Sequence, residues 1–182
     1  MTTDLRQFLH DYLDTSGVED AKSLSEDKFE HNIYGLKGLN SYVQYRDDTF
    51  QIQVFVFPPH TIAPEHIHPN VNSYEVGLSG DLWFSHGGKW LYPKHPALHF
   101  YKKNRCIKVD NTDIHGASIG AGGGMFISVQ QWLNGVKPSC VGQDYEGYAL
   151  TPDHETNGIK FKDLHWRMAA SKETTRRPPW LQ

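Results

Sequence analysis

A mainly β chain, folded as a small barrel or sandwich behind a helical N-terminal segment, is the architecture this sequence predicts. Three observations carry that expectation. Between Leu39 and Gly135 the apolar residues recur with a period of two. The strand-like runs in that region are short and are closed by turns rich in Gly and Pro. The chain holds 16 Gly and 10 Pro, with aromatics at 13%, a composition that suits many short strands around one core. At 182 residues it supports one domain with an appendage at either end.

Residues 1–38 read as the helical segment. Leu5, Phe8, Leu9, Tyr12 and Leu13 form one apolar stripe at helical spacing, with Thr2 or Thr3 as the cap, Asp4 complementing the dipole and Gly17 as the stop. Ser23-Leu24-Ser25-Glu26 has the spacing of a capping box, and Phe29, Ile33 and Leu36 then predict a second short helix. Both helices are expected to pack on one side or edge of a sheet.

Residues 39–135 form the predicted barrel. Phe50, Ile52, Val54 and Val56 alternate with Gln51, Gln53, Phe55 and Phe57, which reads as a strand half buried at first and fully buried later. Pro58-Pro59 stops it. Further strands are expected near 65–69, 72–78, 80–86, 89–92, 97–101, 105–109, 113–120 and 125–133. Gly87-Gly88 marks a two-residue hairpin, and the glycines of 120–124 a looser turn. Residues 136–182 lose the period; Trp166, Trp180 and Arg176-Arg177-Pro178-Pro179 suggest an extension packed on the barrel or on a partner subunit.

Charged residues make up 21% of the chain and the net charge is -3, which leaves no electrostatic footprint for nucleic acid. No apolar run approaches membrane-spanning length. Met1-Thr2-Thr3-Asp4 lacks the start of a signal peptide, and Cys106 and Cys140 form no CxxC pair. A cytoplasmic protein with free thiols, acting on a small molecule without nucleic acid or membrane, is the expectation.

The chemistry is concentrated in Pro64-Glu65-His66-Ile67-His68-Pro69. Side chains at i and i+2 of a strand leave the same face, so His66 and His68 can converge on one metal ion. An HxH pair is also a common surface feature, and its context decides. Of the 11 histidines, His115 stands in a strand-like stretch that a barrel can bring beside the pair. His99 reads as a packed core residue and His86 as a solvated one beside its turn. Glu75, two residues past Ser73, faces the same way as Ser73 by alternation.

The spacing resembles the first motif of the cupin superfamily, which reads G, five residues, HxH, three or four residues, E, six residues, G. His66, His68, Ser73 and Gly80 fit it, with His60 in place of the first Gly and Ser73 in place of the Glu. The second motif supplies one more histidine, and His115 is the best match, with Asp110 and Thr112 replacing its Pro and Gly. The resemblance covers about residues 39–135 and implies an RmlC-like jelly roll, that is, a double-stranded β-helix. It implies a metal held by His66, His68 and His115, Fe(II) being favoured and Zn, Mn or Ni the alternatives. Glu75 is then a fourth ligand or, if it does not bind, a general base or a hydrogen-bonding partner behind the ligands. The implied activity is that of a non-heme Fe(II) dioxygenase, as in cupins with three histidines. The alternatives are a non-oxidative isomerase, lyase or epimerase and a binding protein without catalysis. A homodimer is the expected assembly.

Overall fold

The computed structural model describes residues 4–15, 17–22, 25, 29–31, 40–60, 62–66, 68, 70–87, 89–91, 96–97, 99–101, 104–138, 155–156 and 159–160. Helix α1 (Leu5–Asp14) buries Leu5, Leu9 and Leu13. Its N-cap is Asp4, whose carboxylate accepts from the Gln7 amide at 2.9 Å, so Asp4 caps the helix as well as complementing its dipole. The helix ends before Thr15, which bonds back to the Tyr12 carbonyl. Gly17 opens a second short helix, α2 (Gly17–Lys22), rather than ending the first. Where the sequence predicts a helix through Phe29, strand β1 (Glu30–His31) instead pairs with strand β2 (Asn40–Arg46). Most of that expected helix, like Trp166, Trp180 and Cys140, lies outside the described residues.

Strand β3 (Phe50–Phe57) pairs antiparallel with β2. The chain continues through β4 (Ile62–His66), β5 (Val71–His86), β6 (Lys89–Trp90), β7 (His99–Tyr101), β8 (Asn104–Val109) and β9 (His115–Trp132). A two-stranded ribbon, β10 (Glu155–Thr156) with β11 (Ile159–Lys160), lies in the C-terminal part. Strands β5 and β9 pair along almost their whole lengths. The outer limb of β9 also pairs with β3 and its inner limb with β4, giving the order β1-β2-β3-β9-β5-β8-β7 with β4 on β9 and β6 on β5.

Two breaks expected from the glycines are therefore bends inside continuous strands. Runs 72–78 and 80–86 are one strand, and 113–120 and 125–133 are another. The ladder shifts register between Gly77 and Ser79 and again between Gly80 and Leu82. Gly80 has φ +83, and a Cβ on it would overlap the Gly123 carbonyl. Only glycine lets the two backbones fold over together there. The halves on either side of the bend pack face to face, as a jelly roll requires. Phe55, Phe57, Ile107 and Phe126 from one layer meet Leu82, Phe84, Ala117 and Ile119 from the other, and the Phe84 and Phe126 rings touch edge to face at 6.1 Å. This is the mainly β, cupin-like barrel the sequence predicts.

The outer face of β3, β9 and β5 is covered by the helices. Phe50, Ile52, Val54, Val76, Ile127 and Val129 form one cluster with Leu5, Leu9, Leu13 and Val18, and Phe8 stacks on Phe50 at 4.4 Å. Cys106 belongs to this cluster, and burial pushes its thiol up to about 12, so it packs as a neutral side chain. His60, where the cupin motif has its first Gly, takes φ +58. The backbone at that turn is left-handed, which is the physical reason a glycine suits it.

Candidate functional site

The alternation of β3, β5 and β9 points every second residue into the barrel, and the register aligns them in rungs. Gln53, Ser128 and Glu75 are cross-strand partners, and so are Gln51, Gln130 and Ser73. These two polar rungs lie between an apolar rung of Phe55 and Phe126 and the pair Val71 and Trp132. The start of β3, expected to be half buried, is enclosed: Gln51 and Gln53 are 0% exposed, as is Gln130 of β9. Burial of four amide or carboxyl side chains is tolerable only if they satisfy one another.

They do, and in one direction. Arg46 Nε donates to Gln51 Oε1 at 2.7 Å. Gln51 Nε2 donates to Gln130 Oε1 at 3.0 Å, which also accepts from Trp132 Nε1 at 3.1 Å. Gln130 Nε2 donates to Ser128 Oγ at 3.1 Å, and Ser128 donates to Glu75 Oε1 at 2.8 Å. Ser73 donates to the same oxygen at 2.6 Å. Arginine and the indole N–H can only donate, so they fix which way each glutamine amide faces. Every hydrogen bond in the chain then runs toward the Glu75 carboxyl. A side branch from Gln53 Nε2 ends on Ser41 Oγ at 3.1 Å.

Glu75 is 4% exposed. Burial disfavours its ionised form more than the two hydroxyl donors favour it, and its pKa rises from 4.5 to about 7. Because both serines donate to Oε1, the proton of the neutral acid sits on Oε2. Ser73, which stands where the cupin motif has a ligand Glu, is thus bonded to the carboxyl two residues further along.

The histidines gather at the start of β9. In backbone register His115 faces His66 of β4 on one side and His86 of β5 on the other. The His68 and His115 rings are both buried and meet at right angles with centroids 4.7 Å apart. Both His68 ring nitrogens are shut off from solvent. His115 Nδ1 lies 3.1 Å from the Asp113 carbonyl. A carbonyl only accepts, so Nδ1 carries the hydrogen and Nε2 keeps its lone pair. The His66 side chain lies outside the described residues, and among the described residues no group of three metal-binding side chains is assembled.

His86, expected to be solvated, is half buried and its Nε2 lies 3.1 Å from the Asp113 carboxylate. That carboxylate also accepts from the Asp110 amide at 2.8 Å. Asp113 therefore ties the 110–113 turn to two histidines, one through its side chain and one through its backbone. The sequence signal was its position two residues before His115. The Gln51–Gln130 link had no local signal, because the partners are far apart in the chain and only the β3–β9 register joins them.

No protein-family model matches the chain. No curated protein matches it either. In fold it is similar to the cupin domain of Schizosaccharomyces pombe Cnp3, at 11% identity over 61% of this chain and 70% of that one, with a TM-score of 0.47. An RmlC-like cupin from Shewanella frigidimarina is 17% identical over 61% of this chain and 90% of its own, TM-score 0.46. A double-stranded β-helix protein from Klebsiella pneumoniae is 16% identical over 70% and 95%, TM-score 0.42.

Proposed function

We propose that this chain is a metal-dependent enzyme acting on a small polar molecule, with His66, His68 and His115 as the metal ligands and oxygen insertion as the chemistry. The observation that carries the reading is the His68–His115 pair. Two imidazoles bonded to one metal at about 2.1 Å hold their ring centres about 5 Å apart, and these rings stand 4.7 Å apart at right angles. The Asp113 carbonyl presents the His115 Nε2 lone pair, as a ligating histidine needs. His66, paired in register with His115, completes the proposed set. Held by these residues, a divalent iron would supply redox chemistry toward O2 and Lewis acidity toward a chelating, anionic substrate.

The remaining residues bind and move protons. Glu75 takes or gives a proton at Oε2, and a pKa near neutrality suits it to either direction. The serines hold Oε1 still. The same carboxyl favours a second reading, in which Zn, Mn or Ni acts as a Lewis acid for isomerase or lyase chemistry and Glu75 is the proton carrier.

Metal analysis of the purified protein, with O2 uptake measured on thiols, diketones and phenols, tests the proposal. Near-stoichiometric iron and substrate-dependent uptake are expected. His66→Ala, His68→Ala and His115→Ala should each lose the metal, whereas Glu75→Gln should keep it and lose turnover. Protein that binds no transition metal after reconstitution overturns the reading. Full activity with Zn and no O2 uptake replaces it with the Lewis-acid alternative.

A further inference from the structure

A cavity of about 350 Å³ opens beside the bend of β5, lined by Lys22, Asn104 and Arg105 over a floor that includes Gly80, Leu82 and Phe84. It sits one rung beyond Glu75, where Gly77 pairs with Arg105, at the end of that limb of β5 remote from His68. Its polar lining has one sign. Among the described residues no carboxylate lines it, although the chain as a whole carries a net charge of -3.

Each of the three polar side chains has donors to give. Arg105 is held by one N–H, which Nη1 donates to the Leu82 carbonyl at 3.2 Å, and a guanidinium has five. Asn104 is 7% exposed and lines the cavity beside Arg105, and its amide N–H groups can donate there. Lys22 is 3.4 Å from Glu19, a loose pair on an exposed carboxylate, which leaves the ammonium available at small cost.

The geometry points to a binding site for a small organic anion, whose carboxylate or phosphate is held by Arg105, Lys22 and the Asn104 amide. The planar guanidinium matches both oxyanions in a two-pronged fashion, and the Leu82–Phe84 floor receives an apolar body. The site is independent of the histidine cluster and of the activity proposed above.

The test is titration calorimetry with inorganic phosphate, acetate and benzoate, at constant ionic strength set with sodium chloride. Saturable binding is expected, with benzoate tighter than acetate if the apolar floor takes part. Arg105→Gln should weaken it about tenfold or more and Lys22→Gln several-fold, as expected for loss of charge-assisted contacts. His115→Ala should leave it unchanged. Lys22→Gln keeps most of the length and the hydrogen-bonding capacity of a partly buried side chain at the end of α2, so its result stands even if Arg105→Gln fails to fold. Non-saturable heats, affinity unchanged in Lys22→Gln and any folded Arg105→Gln, or loss of binding in His115→Ala overturns the assignment.

Discussion

The two faces of the β3–β9–β5 sheet are equally buried and chemically opposite. The outer face is a continuous apolar surface under the helices, in which Ile127 and Val129 lie at 0% exposure. The inner face, one residue along each strand, carries Gln51, Gln53, Ser73, Glu75, Ser128 and Gln130 at 0–4%. Apolar packing tolerates swaps that conserve volume. A polar ladder tolerates almost none, because each side chain is the partner that makes its neighbour's burial affordable. The outer face therefore fixes where the strands lie, and the inner face fixes the direction of single hydrogen bonds.

The largest effect expected from breaking that contrast is at Gln130. Gln130→Leu keeps the size but strips the acceptor from Gln51 Nε2 and Trp132 Nε1 and the donor from Ser128. Each partner taken from a buried polar group costs about 1–3 kcal/mol, so a loss of about 3 kcal/mol or more is expected in urea unfolding. A loss below that of an outer-face truncation sinks the comparison.

Glu75 sharpens it through pH. Its folded pKa, about 7, lies above the unfolded 4.5, so the native state holds the proton more tightly. Its contribution to stability is complete below pH 4.5 and is lost as pH rises through 7. At pH 8 Glu75→Gln should be more stable than the wild type by about 3 kcal/mol, and the difference should shrink toward pH 4.5. Unfolding midpoints across that range decide it; parallel curves would show that the buried carboxyl does not titrate there. At the small end, Ile127→Val on the outer face should cost about 1 kcal/mol with no pH dependence.

Much of this was legible in the sequence. The period of two located β3 and both limbs of β9, and Gly87-Gly88 marked the β5–β6 hairpin, where His86 pairs with Lys89. Strand β2 leaves no such signal, because Tyr42, Gln44 and Arg46 give it no apolar alternation. The glycines at 80 and 120–124 read as chain breaks because composition cannot distinguish a turn from a bend that keeps its ladder. The proximity of His68 and His115 followed from motif spacing. The burial of Gln51 and Gln53 did not, since an alternating Gln and Val pattern is that of a half-exposed strand. Only the second layer, folded over by the bend, encloses the glutamines.

That bend also bears on how the chain reaches its structure. Pairing of β5 with β9 runs from His86 with His115, about 30 residues apart, to Val71 with Trp132, about 60 apart, and closing the longer loop costs about 0.6 kcal/mol more. Zipping from the short-loop end brings His115 into register before either polar rung forms. On that order the glutamine ladder and Glu75 are expected to close after it. Substitutions at Ala117 should slow folding, while those at Gln130 should chiefly speed unfolding. The bend thus separates the pairing of His115 with His86 from the closing of the polar rungs around Glu75.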